Sequence, residues 1–153
     1  MPWKATGSLI RHDNGTTFGS VLLAQAFTQP RYFWPRPSAV DYNASATGGS
    51  NLSPTNPLLT ERAKALIGRY GLRAGQRLPA DLVAASGSGM DPHITIQAAL
   101  FQASRVASAR NLPLHRVSQL IEQNKEVPTL RVFGGAPVVN VLKLNVALDT
   151  MSR

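Results

Sequence analysis

A length of 153 residues, with 43% hydrophobic and 16% charged residues, suits one globular domain and excludes a charge-rich disordered chain. Lysine and arginine outnumber aspartate and glutamate by 16 to 8, and the net charge of +8 indicates an anionic partner or surface. The absence of cysteine excludes disulfides, thiol nucleophiles and cysteine-based metal sites. No stretch approaches the roughly 20 apolar residues of a membrane span, so we expect the chain as given to be soluble.

The first predicted element is a β-hairpin over residues 7–23. Asn14-Gly15 separates two β-prone runs, and Asn-Gly in that position is the strongest short hairpin signal. Residues 28–57 follow as an ordered loop region, because their prolines recur too closely for a useful helix. This region contains the run Tyr32-Phe33-Trp34, and aromatic rings normally bury large areas. The sequence alone leaves open whether that run packs inside the domain or contacts a partner.

Three helices are predicted further along, over residues 57–70, 96–110 and 113–124. Thr55 or Asn56 is placed to cap the first helix, whose opening residue is proline. The apolar stripe expected on that helix comprises Leu58, Leu59, Ala63, Leu66, Ile67 and Tyr70.

The segment from Val138 to Met151 suits either a strand or a helix. Its apolar residues alternate in part, but Asn140 could cap a helix, which is the assignment we favour. The fold class that follows is α+β, as a single soluble domain. It has an N-terminal β-hairpin, a loop region rich in proline and aromatic residues, and three or four helices.

Motifs for catalysis and for metal binding are absent from the sequence. A phosphate-binding loop of the form Gly-x-x-x-x-Gly-Lys-Ser/Thr does not occur. A nucleophile elbow centred on Ser88 would need glycine at position 86, where a serine stands. Asp91 and His93 lie nearby, so a serine hydrolase is a distant alternative, although sequence spacing shows no triad geometry. The three histidines lie in separate segments, so we expect no metal site.

A second alternative is a free-standing protein that binds nucleotides or single-stranded nucleic acid. The segment Arg31–Arg36 interleaves cations with aromatic rings, as stacking on single strands requires. No recognised nucleic-acid module accompanies it, and a loop of this composition is more often a packing device.

Five strings of the sequence resemble one known family in the same order. Two are QAFTQPRYFWPRPSA at residues 25–39 and GGSNLSPTNP at residues 48–57. The others are ASGSGMDPHI at residues 85–94, RVASAR at residues 105–110 and VNVLKLN at residues 139–145. From about residue 7 to residue 149, the chain resembles KdpC, a subunit family of the bacterial Kdp potassium-transporting P-type ATPase.

The resemblance implies an accessory subunit that is no enzyme by itself. Its expected partners are a potassium-channel-like subunit and the P-type ATPase catalytic subunit of the same complex. The Asp-Lys-Thr-Gly string that such pumps phosphorylate is absent here. Two family roles are expected: stabilising the assembled complex and raising its affinity for ATP.

The resemblance also implies a location at the bacterial cytoplasmic, or inner, membrane. Family members carry one N-terminal transmembrane helix and a soluble domain on the extracytoplasmic side. The first residues of this chain stand where that helix should end, and no apolar segment precedes them. We interpret residues 1–6 as the remnant of a linker after a missing membrane helix, and a genuinely soluble paralogue is the alternative. Residues 7–153 are then the KdpC-like soluble domain.

The family's signature-like loop is matched by Thr47, Gly48, Gly49 and Ser50, a candidate nucleotide loop whose glycines would let backbone amides approach phosphate. Gly-Gly-Ser is more often a plain turn, so we expect no tightly bound cofactor and ATP only through the complex. Basic residues between Arg62 and Arg77 could contact anionic lipid, and no nucleic-acid partner is expected. The residues expected at the partner interface are Arg31, Tyr32, Phe33, Trp34, Arg36, Asp41, Ser88, Asp91 and His93.

Overall fold

The computed structural model describes residues 7–11, 15–72, 75–127 and 136–151, and these residues contain both strands and helices. The strands are β1 (Leu9–Arg11), β2 (Thr17–Ser20), β3 (His93–Thr95), β4 (Lys125–Glu126) and β5 (Val138–Asn140). The helices are α1 (Pro57–Tyr70), α2 (Ile96–Arg110), α3 (Leu114–Gln123) and α4 (Val141–Met151). The α+β class is confirmed, whereas the linker predicted at residues 1–6 lies outside the described residues.

The predicted hairpin is present as the antiparallel pair β1–β2. Leu9 lies opposite Ser20, and the register shifts by a bulge after Ile10. The predicted turn residue Asn14 lies outside the described part of the chain. Gly19 has a φ of +148°, which residues with a side chain rarely adopt, and a Cβ there would also displace the Gln25 side-chain amide.

The segment predicted as one helix from Val138 is divided between a strand and a helix. Residues Val138–Asn140 form β5, the central strand of an antiparallel sheet with the order β3-β5-β4. The helix begins only at Val141, and Asn140 Oδ1 accepts a hydrogen bond from Lys143 N at 3.2 Å, as a capping residue does. The prediction was wrong for three residues because two distant strands pair with them, and periodicity within the segment cannot reveal those partners.

The core lies where α2, α3 and α4 pack against one another and against the sheet. The buried face of α2 consists largely of alanines, which allow its neighbours to approach closely. Its cap is Thr95, whose side chain accepts a hydrogen bond from Ala98 N at 3.1 Å. The largest fully buried apolar residues are Phe33, Leu82, Ile94, Ile121, Leu144, Leu148, Val106, Val117, Val139 and Val141.

The helix α1 has the predicted bounds but lies outside this core. Asn56 caps it through a 3.0 Å hydrogen bond from Leu58 N, and Gly71 ends it in the left-handed conformation. No residue of α1 is fully buried, and Leu58 and Ile67 are 54% and 46% exposed. The predicted apolar stripe is therefore wrong at these two positions, because α1 presents only a narrow face to the domain, where Tyr70 packs against the core.

Among the helices of the described residues, none has both the length and the apolar character of a membrane span.

Candidate functional site

Residues 29–32 form a turn, and the segment continues from Phe33 to Pro37 without belonging to a sheet, with residues 33–35 buried in the core. Two buried side-chain amides replace the neighbouring strand. Asn145 Oδ1 accepts from Phe33 N at 2.8 Å, and Asn145 Nδ2 donates to Phe33 O at 3.0 Å. Gln102 forms the same pair with Trp34, at 2.8 and 3.1 Å. Side chains of the two helices α2 and α4 thus form the hydrogen bonds with this segment that a neighbouring β-strand would otherwise form.

The Trp34 indole lies between two guanidinium groups. The Cζ atom of Arg105 is 3.7 Å from a Trp34 ring centroid, and that of Arg69 is 4.1 Å from one. Arg105 also donates to the carbonyls of Pro30 and Tyr32 and to Gln102 Oε1. Burial lowers the pKa of Arg105 to about 10, so the guanidinium keeps its charge at neutral pH.

Tyr32 and Arg31 occupy the end of the same segment, against the last turns of α2 and α4. The Tyr32 hydroxyl donates to Asp149 Oδ2 at 3.0 Å, and Arg110 Nη2 donates to Asp149 Oδ1 at 2.7 Å. Burial, followed by the bond to Asp149, raises the pKa of Tyr32. Arg31 is exposed, and its carbonyl accepts from Arg110 Nε at 2.7 Å.

The structure places two of the expected interface residues inside the domain. Phe33 is 0% exposed and Trp34 is 6% exposed, so their side chains offer almost no surface to another chain. Phe33 and Trp34 therefore pack inside the domain, which is one of the two interpretations that the sequence left open. The other expected interface residues all retain exposed or half-exposed surface.

Two loops, residues 36–51 and 85–93, pack against each other and form what we term the loop cluster. Ser86 N donates to Pro37 O at 3.0 Å, and Gly48 N donates to Ser88 O at 3.0 Å. Ser38 Oγ donates to Gly89 O at 2.6 Å and accepts from Tyr42 N at 3.0 Å. These bonds fix the two loops to each other. Up to the start of β3, neither loop contains a helix or a pair of strands that could hold it in place.

The backbone of the loop cluster is held in an unusual conformation. Asp41 and Tyr42 have φ values of 51° and 58°, in the left-handed region that side chains other than glycine rarely adopt. The Tyr42 hydroxyl donates to Arg36 O at 2.9 Å, which helps to hold this turn. As a result, Asp41 lies exposed on a constrained loop.

The glycines of the candidate nucleotide loop face protein backbone. The Gly48 amide is already bonded to Ser88, and a Cβ on Gly49 would lie 3.1 Å from Gly87 O. A Cβ on Gly89 would lie 2.5 Å from Val40 Cγ2. Close approach of the two loops therefore explains Gly49 and Gly89 without a phosphate.

A charged row of five residues crosses the surface beside the loop cluster: Arg36, Asp91, His93, Glu126 and Lys143. Successive atoms are 3.3, 3.1, 3.4 and 2.7 Å apart. The hydrogen bond between Asp91 and His93 is the main cause that lowers the pKa of Asp91 and raises the pKa of His93. Sequence reasoning missed Glu126 and Lys143, because no local pattern shows that β4 and α4 approach β3.

The residues of the hydrolase alternative, Ser88, Asp91 and His93, do not form a catalytic triad. Both ring nitrogens of His93 face carboxylates, Nδ1 toward Asp91 and Nε2 toward Glu126. Ser88 Oγ instead lies 3.3 Å from Ser86 Oγ and accepts from Met90 N at 3.2 Å. In the described parts of the chain, no three side chains of metal-binding type converge on a common point.

Comparison with known proteins gives a consistent family. The family model "KdpC: K+-transporting ATPase, c chain" matches residues 1–150. A protein of Parvibaculum lavamentivorans is 53% identical over 151 residues, covering 97% of this chain and 79% of its own length. Proteins of Polaromonas naphthalenivorans and Gloeobacter violaceus are 51% and 47% identical, covering 99% and 100% of this chain and 79% and 81% of their own. All three carry the name Potassium-transporting ATPase KdpC subunit.

Proposed function

The chain belongs to the KdpC family, the c chain of the K+-transporting ATPase, and from that premise we propose that it stabilises the assembled pump through the loop cluster. It is an accessory, non-catalytic subunit. The partners we propose are the potassium-channel-like subunit and the catalytic P-type ATPase subunit. We place the complex at the cytoplasmic membrane with the described domain on its outer side.

The observation that carries this proposal is the constrained backbone of the loop cluster. Asp41 and Tyr42 occupy consecutive left-handed positions that cost free energy and persist only because the Ser38 and Tyr42 side chains hold the turn. A loop fixed in advance loses little conformational entropy on binding. Asp41 and Ser88 are exposed on this fixed surface, where they can contact another subunit directly.

Charge removal at Asp41 tests the docking surface. Asp41→Asn keeps a residue type that tolerates positive φ and removes the charge. We expect recovery of the pump subunits with the tagged chain to fall roughly tenfold or more, the effect of losing a charged partner at an interface. The matched control is Glu61→Gln, which removes an exposed charge from α1, outside the loop cluster. Equal recovery of the two variants would contradict the proposed surface.

The effect on ATP affinity stays a prediction of the family resemblance. In the described residues, the Gly48 amide donates to protein rather than pointing into open space. Isothermal titration of the chain with millimolar ATP tests direct binding. Heat of binding that disappears in a Gly49→Ala variant would support the nucleotide loop, and the absence of heat from the unaltered chain would remove it.

A further inference from the structure

The charged row contains one imidazole, His93, a side chain whose ordinary pKa is about 6.5, and it bridges two parts of the fold. His93 belongs to β3 and Glu126 to β4, the two outer strands of a sheet whose central strand is β5. The contact between His93 Nε2 and Glu126 Oε2, at 3.4 Å, therefore spans the central strand. At its other nitrogen, His93 contacts Asp91 Oδ1 at 3.1 Å, in the loop cluster.

The two contacts coexist fully only with the protonated ring. Asp91 accepts a hydrogen bond from Nδ1–H, whereas the ion pair with Glu126 at 3.4 Å needs the positive charge of the ring. Neutral imidazole has a single N–H, and when Nδ1 keeps it for Asp91 the contact with Glu126 is the one that is weakened. The His93 ring is half-buried, which makes the loss larger than it would be in open solvent.

The strand β4 is short, and besides its pairing with β5 it is tied to α4 by the ion pair between Glu126 and Lys143. It consists of two residues, and its register pairs Lys125 with Val139 and Glu126 with Val138. We propose that His93 is a proton-operated clasp that holds β4 to β3 while the ring is protonated and loosens this tie when the ring is neutral.

The charges around His93 fit such a clasp. Asp91 and Glu126 contact the ring, and behind them Arg36 pairs with Asp91 and Lys143 with Glu126. On β5, the opposite residue is the uncharged Asn140. Each carboxylate keeps a permanent cation as a second partner, so loss of the His93 proton weakens the row without leaving a carboxylate unpaired. The clasp therefore loosens and does not unfold the sheet.

The direction of the pH effect follows from the raised pKa of His93. The hydrogen bond that the ring donates to Asp91 favours the charged ring, and the Asp91 and Glu126 charges add to it against the opposing effect of burial. The stabilisation is fully present below the ordinary histidine pKa of about 6.5 and is lost as the pH rises through the folded-state pKa.

The test measures the chain itself, without the pump, so its failure is separate from failure of the docking proposal. Nuclear magnetic resonance titration should give a His93 midpoint above about 6.5. The free energy of unfolding in urea should fall as the pH rises through that midpoint. His93→Gln should abolish this fall, whereas His115→Gln, which alters an imidazole on α3 outside the row, should retain it.

Two results would overturn the clasp: a His93 midpoint below 6.5, or the same pH dependence of unfolding in His93→Gln and His115→Gln. If His93→Gln does not fold, Glu126→Gln provides the second variant. Loss of one carboxylate should lower the His93 midpoint relative to the unaltered chain, and an unchanged midpoint would contradict the bridging role of the ring.

Discussion

At the scale of single residues, two buried amides determine where the aromatic run goes. Gln102 lies on the apolar stripe of α2 among Ala99, Ala103 and Val106, where a polar side chain must find a hydrogen-bond partner. That mismatch in the sequence signals a buried partner. It does not say which one, because Trp34 is 68 positions away along the chain.

Truncation of Gln102 tests this arrangement. In Gln102→Ala, the Trp34 N–H and C=O stay buried without their partner, and the expected loss is about 2–4 kcal/mol of unfolding free energy. Gln97→Ala, at an exposed position of the same helix, should change it by less than about 0.5 kcal/mol. Urea unfolding measures both. Similar stability of the two variants would show that the hydrogen bonds between Gln102 and Trp34 contribute nothing to the free energy of unfolding.

At the scale of elements, local signals predicted helix ends well and predicted burial poorly. Pro57 and Gly71 mark the bounds of α1, and Thr95 marks the start of α2, because a cap acts within one turn. The strand at Val138–Asn140 and the exposed Leu58 depend on what packs against them. Such partners lie far away in the sequence, so periodicity alone could not find them.

The peripheral position of α1 predicts its dynamics. A helix with no fully buried residue should open locally at a lower free energy than one anchored in the core. Amide hydrogen exchange should therefore show α1 less protected than α3, although α1 has 14 residues and α3 only 10. The expected difference is roughly tenfold or more, because the core side chains Val117 and Ile121 hold α3. Equal protection of the two helices would mean that the loops beneath α1 stabilise it as firmly as a core.

At the scale of the whole molecule, the strings that carry the family resemblance converge in space. Arg105 and Arg110 bond the loop that contains Trp34, and Gly48 bonds the loop that contains Ser88. The sequence predicted the family, and its other interface residues stay predictions. It could not predict that Phe33 and Trp34 are buried or that Glu126 completes the charged row, because both depend on contacts between distant segments.

The central claim is that this chain supports a pump whose chemistry is carried out by another subunit. The most direct measurement is potassium-stimulated ATP hydrolysis by complexes purified from cells that express the other pump subunits with or without this chain. We predict that the activity is high with the chain and largely lost without it, and that the chain alone hydrolyses no ATP. Equal potassium-stimulated hydrolysis by the two preparations, or hydrolysis by the chain alone, would contradict the account.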